Sequence, residues 1–377
     1  MIKIKIPYLI TVVLSVLLLF IGNRIAVNGM FAFQNAPFEI VRAKVQSVAE
    51  RIGTGDSSEG YVPRQGERLF FEAKITSGER KGEIVTAVQT FSGYTRITQK
   101  EVYRNASILL IFSNDEWYFN GYMRINGLVG LGILFVLCVL FFGGKKGFNT
   151  ILSLGLTCAS IFTVFIPAIL SGKNIYLMSF LVCAYVIAMT LLIVIGFNKK
   201  SLAAVAGCSG GVLATGIITI IMDRALHLTG IVDDNSRYLA NLPGETLIDL
   251  KAIIFAGIII GAMGAIMDVA ISISSSLWEI KEKAGIIKLK DLFRSGLTIG
   301  RDIMGSMANT LILAYIGSSL SVVLILSVFS GSLLGLFNSE MIVVEILQAL
   351  AGSFGILFAM PLTALFSSLI YLNEKNQ

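Results

Sequence analysis

The sequence predicts a polytopic α-helical membrane protein of about eight transmembrane helices, with a small β-rich extracytoplasmic domain between helices 1 and 2. Three observations predict it. Of 377 residues, 55% are hydrophobic and only 14% are charged, too little polar side-chain area to clothe a soluble fold of this size. The apolar residues gather into runs near the ~20 that carry a helix across a ~30 Å hydrocarbon core. Lys and Arg crowd into alternate connections, as they do where basic residues are retained on the cytoplasmic side.

The first run, 6–21, follows Lys3 and Lys5 and has the outline of a secretory signal. Its continuation, Gly22-Asn-Arg-Ile-Ala-Val, offers no clear pair of small residues around a cleavage point. Residues 1–22 are therefore expected to be an N-terminal transmembrane anchor, with a removed signal as the alternative.

Residues 23–126 form the extracytoplasmic domain. Apolar and polar residues alternate over 38–48, as in a half-buried strand. After a Gly/Ser/Pro-rich connection over 53–66, strands over 68–75 and 83–90 flank Ser77-Gly-Glu-Arg-Lys-Gly, a hairpin connection. Further strands are expected at 107–112 and 117–120, giving a small barrel or sandwich. The acids of this region alternate with apolar residues or sit in turns, which is what a solvated sheet face requires. The aromatic stretch Asp115-Glu-Trp-Tyr-Phe-Asn-Gly-Tyr reads as an interfacial anchor before the second span, with a ligand platform as the alternative.

Seven more runs, 128–142, 151–170, 175–197, 202–222, 252–273, 310–337 and 346–371, make residues 127–372 a seven-helix membrane domain, followed by a cytoplasmic tail at 373–377. The run 310–337 is overlong and contains Gly317, Ser318 and Ser319, so it reads as tilted, bent or locally broken. With the N-terminus inside, thirteen basic residues fall on the cytoplasmic side: Lys3, Lys5, Lys145, Lys146, Lys199, Lys200, Lys281, Lys283, Lys288, Lys290, Arg294, Arg301 and Lys375. Four, Lys173, Arg224, Arg237 and Lys251, fall in the short outer loops. Both ends are thus expected in the cytoplasm of a bacterial cell, with 23–126 outside. The net charge of +6 is retention signal, which leaves no reason to expect a nucleic-acid partner. Cys138, Cys158, Cys183 and Cys208 all lie in apolar runs, so no disulfide framework holds the outer domain.

An ionisable group inside hydrocarbon costs at least a few kcal/mol on insertion scales, so one that persists is generally put to use. Asp268 sits in the run 252–273. Helical spacing sets Gly261, Gly264, Asp268, Ser272 and Ser275 or Ser276 on about one face, a close-packing half and a polar half of one stripe. That stripe reads either as the lining of a path for an ion or small polar solute, or as Asp268 pairing with a neighbouring helix or headgroups near Lys281. The next element begins Gly300-Arg-Asp-Ile-Met-Gly-Ser-Met-Ala-Asn-Thr. Its Asp302, Ser306 and Asn309 share a face expected to point into the bundle, with Thr310 beside them. The competing reading is a helix cap at Asp302 with Arg301 as a snorkelling anchor. Glu340 and Glu345 are secondary candidates; five apart, they do not share a helical face well.

Gly207-Cys-Ser-Gly-Gly-Val-Leu-Ala-Thr-Gly lacks the Lys-Ser/Thr ending of a phosphate loop. It reads as helix packing at Gly207 and Gly211, like Gly261 and Gly264 in their own run, or as a broken helix facing a cavity. The single histidine, His227, reads as a loop residue. No pattern matches a metal set, a serine–histidine arrangement or a nucleotide site, so neither an enzyme nor a cofactor is expected.

The chain resembles the YibE/F family of bacterial membrane proteins. The resemblance rests on Gly261-Ala-Met-Gly-Ala-Ile-Met-Asp-Val-Ala-Ile-Ser-Ile-Ser-Ser-Ser, on the segment from Gly300 through Gly317, on Asn338-Ser-Glu-Met-Ile-Val-Val-Glu-Ile, on Gly352-Ser-Phe-Gly and on Pro361-Leu-Thr-Ala. The outer N-terminal domain is similar to that of the YibE-type member. This implies a paired assembly with a related YibF-type protein and no substrate; the Gly/Ala/Ser-rich helix faces allow a homo-oligomer as the alternative, and the apolar runs imply membrane lipids as partners. The residues themselves favour a transporter or transport-complex permease moving an ion or small polar solute across the cell membrane. The alternative is a non-transporting scaffold or envelope-assembly protein whose outer domain binds a partner.

Overall fold

The computed structural model describes residues 6–28, 39–52, 67–91, 99–241, 248–329 and 332–372. The basic start at Lys3 and Lys5, Phe38, the 53–66 connection and the 373–377 tail with Lys375 lie outside the described residues. The chain divides into two compact units, 32–138 and the remainder.

In the first unit, β1 (Glu39–Ile52), β2 (Glu67–Ile75), β3 (Ile84–Phe91), β4 (Ser107–Ser113) and β5 (Glu116–Tyr122) close a barrel in the order β1-β2-β3-β5-β4. Neighbours are antiparallel except β3 and β5, which run parallel with Ala87 opposite Trp117. Period-two patterning sets the register. Val41, Ala43 and Val45 point inward from β1 and meet Leu110, Ile108 and Ala73 on its two neighbours. Phe71, Ala87 and Trp117 complete the core.

The β2–β3 turn holds Gly78 and Gly82 at positive φ, with the Gly82 N–H donating to the Ile75 carbonyl. Asn114 and Asp115, both at positive φ, make the two-residue β4–β5 turn whose twist suits a hairpin. Gln89 is buried and bonded at both ends of its amide: its Nε2 donates to the Lys100 carbonyl at 3.0 Å and its Oε1 accepts from the Val102 N–H at 2.9 Å. Contrary to the anchor reading of 115–122, Trp117 is inside the barrel, 4.9 Å from Phe112 by ring centroids. Alternation on β5 turns it inward.

The helices are α1 (Ile6–Val27), α2 (Ile125–Ser160), α3 (Ile166–Leu170), α4 (Ile175–Val194), α5 (Lys199–Leu226), α6 (Asp234–Ala240), α7 (Leu250–Ala284), α8 (Leu289–Ser318), α9 (Leu320–Phe329), α10 (Leu333–Asn338) and α11 (Glu340–Leu372). A π-helical turn, Ile161–Phe165, joins α2 to α3. Six helical segments among the described residues are long and apolar enough to cross a membrane.

The expected eight differ from this in two places. The runs 128–142 and 151–170 are two helices joined without a loop at Gly144, whose non-helical φ of 52° and ψ of −126° break the helix between them and are cheap only for glycine. The run 310–337 is cut at Ser319 and again before α10. The helix carrying Gly300 starts at Leu289, eleven residues before the expected start of that element at Gly300. Residues 289–300 place Leu292, Gly296 and Gly300 on one buried stripe and charges elsewhere, an amphipathic turn sequence rather than an apolar run.

α7 is central to the helical unit, burying Phe255, Ile259, Ala262, Ile266, Ile273 and Leu277 among α4, α5, α8 and α11. α11 packs most extensively on α5, then on α8 and α7. The Gly-rich part of α5 is continuous helix. A Cβ at Gly207 would lie 2.7 Å from Thr363 Cα, and one at Gly211 would lie 2.8 Å from Ala359 Cβ, so these glycines let α11 approach the α5 backbone. Large apolar side chains left exposed on α1 and α2, such as Leu9, Val13, Leu17, Leu131 and Phe135, are the surface that lipid covers.

Candidate functional site

Asp268 lies on the exposed face of α7 with Gly261 and Gly264, while Ser272 and Ser275 are partly covered. A Cβ at Gly264 would meet nothing within 4 Å, whereas one at Gly261 would meet the Tyr315 hydroxyl at 2.6 Å. On α8, Asp302, Ser306, Asn309 and Thr310 are exposed as well. The expectation that they point into the bundle is corrected. α8 turns its Leu292, Gly296, Gly300 and Leu311 face to α11 and α7; Asp302 and Asn309, on the far side of the helix wheel, turn outward, and Ser306 and Thr310 are exposed at the edge of the packed face. The cap reading of Asp302 is corrected too, because the helix begins at Leu289 and Asp302 is in its interior.

α7 and α8 run antiparallel, with Leu277 against Gly296, Ile273 against Gly300 and Gly261 facing Tyr315. This register sets Asp268 at about the level of Gly305, and Asp302 about one turn nearer the 285–288 connection. Among the described residues no hydrogen bond or ion pair joins Asp268, Asp302 or Asn309 to another side chain. The Thr310 hydroxyl donates to the Ser306 carbonyl at 2.9 Å, which occupies it within its own helix.

Glu340 has a defined role. Its carboxylate accepts from the Thr229 N–H (2.7 Å), the Gly230 N–H (2.7 Å) and the Thr229 hydroxyl (2.8 Å), tying the loop after α5 to the start of α11. Glu345, partly buried one turn on, shows no such set. His227 is an exposed left-handed cap that ends α5.

Sequence reasoning missed a cluster at the Ala284 end of α7. Ser274 Oγ donates to the Lys200 carbonyl at 2.7 Å, and the Tyr371 hydroxyl donates to the Ser274 carbonyl at 2.9 Å. Trp278 packs edge-on against Tyr371 at 5.0 Å, and Lys200 and Lys281 lie over its ring. Only the aromatic-and-hydroxyl content of both helix ends hinted at it. Between spans, Asp233 caps α6. The Ser236 N–H at 2.7 Å holds its carboxyl below the usual carboxylate range, with the Ser236 and Asn235 side chains helping. No group of three His, Cys, Asp or Glu side chains converges as a metal site among the described residues.

The sequence profile of a family described as YibE/F-like protein matches residues 131–373, well over half of the chain. That span takes in the Asp268, Asp302 and Glu340 segments and leaves out the barrel. No curated protein and no solved structure matches the chain.

Proposed function

We propose that this chain, which belongs to the YibE/F-like family, is a permease that moves an ion or small polar solute along the exposed faces of α7 and α8. The carrying observation is Asp268: a carboxylate with no ion pair or hydrogen bond among the described residues, on the exposed face of a helix long and apolar enough to span a membrane. Left in hydrocarbon it costs at least a few kcal/mol on insertion scales, so water or another polypeptide covers it. Asp302, Ser306 and Asn309 at nearby depths give such a path further polar groups. The second subunit that closes it is another copy of this chain or a related YibF-type protein.

In this reading the chain crosses the cytoplasmic membrane eight times. Both termini lie in the cytoplasm and 23–126 lies outside, a placement the thirteen-to-four basic bias supports. The test is flux in reconstituted vesicles, with protons, alkali cations and small polar solutes compared between the parent and Asp268→Asn. Loss of one flux on charge-neutral replacement supports the path; equal flux for every species removes Asp268 from the mechanism.

A scaffold reading draws on the barrel. Tyr103, 61% exposed, stacks on Tyr122 at 5.9 Å beside a recess lined by Arg42, Asn120 and Arg124, a surface suited to a partner protein. Crosslinking from Tyr103 would capture that partner, and removal of the domain would abolish assembly while Asp268→Asn is silent.

A further inference from the structure

The charged end of the helical unit where α5 stops and α7 starts holds a cavity of about 390 Å³, lined by Tyr176 of α4, Thr219, Asp223 and Arg224 of α5, and Lys251 and Phe255 of α7 among others. That is within the range of small-molecule sites. Its floor is apolar and fixed. Phe255 and Leu228 are buried, and the Phe255 ring is held by Tyr176 at 4.9 Å and Phe180 at 5.5 Å. The Thr219 hydroxyl is already spent on the Thr215 carbonyl at 2.8 Å. Its walls carry charges of both signs, and neither Asp223, Arg224 nor Lys251 makes an ion pair or side-chain hydrogen bond among the described residues.

Two of these charges are placed against the interests of their own helices. Asp223 is in the last turns of α5, where the helix dipole presents its negative end and the Asp223 carbonyl already accepts the His227 N–H. Lys251 is in the first turn of α7, where the dipole presents its positive end and Asp249 caps the helix through the Ala252 N–H. Each placement weakens its helix and concentrates potential in the cavity. The end of α5 thus presents the Asp223 carboxylate beside Arg224, and the start of α7 presents the Lys251 ammonium while the Asp249 carboxylate is engaged as the cap.

We infer that this cavity binds a small zwitterion of the α-amino-acid class. Its ammonium faces Asp223 and the C-terminal end of α5; its carboxylate faces Lys251 and Arg224, clear of the Asp249 cap; its apolar side chain lies against Phe255 and Leu347. A simple anion leaves Asp223 unmatched, and a simple cation leaves Lys251 unmatched. The inference does not rest on the permease reading, because binding here is measured without flux.

The experiment uses the full chain in detergent or nanodiscs, with thermal unfolding read against a panel of the standard amino acids. The single-charge analogues of leucine, isocaproate and isoamylamine, serve as further probes. Apolar amino acids raise the unfolding midpoint in a concentration-dependent way and the two analogues do not. Asp223→Asn and Lys251→Met each weaken the apparent affinity about tenfold or more. Leu347→Trp, which fills the cavity and leaves every charge in place, abolishes the shift while the unliganded midpoint shows that the variant is folded. The inference is overturned if no amino acid on the panel shifts the parent. It is equally overturned if isocaproate alone matches leucine, or if folded charge variants bind as the parent does.

Discussion

Gly211 of α5 and Gly355 of α11 meet face to face: a Cβ added at Gly211 would lie 2.8 Å from the Gly355 carbonyl oxygen, and one added at Gly355 would lie 3.4 Å from the Gly211 carbonyl oxygen. Without a hydrophobic drive between helices in lipid, this approach of backbones is what holds the α5–α11 seam. Gly211→Val and Gly355→Val should each lower stability by about 1–3 kcal/mol through overpacking. Gly264→Ala, in open space, should leave it unchanged or raise it slightly through helix propensity. Thermal unfolding of the purified chain measures all three, and a tolerated Gly355→Val would mean the seam is not tight.

Glu340 accepts three hydrogen bonds from Thr229 and Gly230. Glu340→Ala leaves two loop N–H groups without their acceptor and should cost about 2 kcal/mol. Glu340→Gln keeps the oxygen that both N–H groups use and should cost less. Hydrogen exchange at the Thr229 and Gly230 amides distinguishes them, with exchange fastest in the Ala variant.

Tyr371 and Ser274 couple the end of α11 to α7 in a buried site. Tyr371→Phe should cost about 1 kcal/mol, because Ser274 Oγ keeps its bond to the Lys200 carbonyl. The two hydroxyls also lie 2.7 Å apart, so in a double-mutant cycle with Ser274→Ala the two changes should be less than additive. Strict additivity would show that the hydroxyls act independently.

Asp233 gives a pH dependence with a definite sign. Its folded carboxyl titrates below the unfolded value because the Ser236 N–H stabilises the anion. Its contribution to the α6 cap is therefore present above the unfolded pKa and is lost as pH falls through the lower folded value. The Ser236 amide resonance should follow that titration, with a midpoint below the usual Asp range, and should not move in Asp233→Asn. A midpoint at the ordinary value would contradict the cap.

The barrel strands were legible because a half-buried strand writes its register into alternate residues. Val41, Ala43 and Val45 announce one face whatever stands opposite. The Gly144 bend was not legible, since glycine is common in membrane helices and only φ marks the kink. Nor was the start of α8, where Lys288, Lys290, Asp291 and Arg294 hide an amphipathic stripe from any measure of mean hydropathy.

The same limit applies to the polar positions. By itself the sequence determined which segments are apolar enough to enter a membrane, that a β unit lies between the first two, and that Asp268, Asp302 and Asn309 interrupt the apolar mass. Only the tertiary structure decided what each of those residues faces. Gly211 is pressed against α11 while Gly264 is open, and Asp302 turns outward rather than into the bundle. The physical reason is that lipid and protein interior are both apolar. Helical periodicity can place side chains on one face, but in a membrane it carries no preference for which neighbour that face will meet.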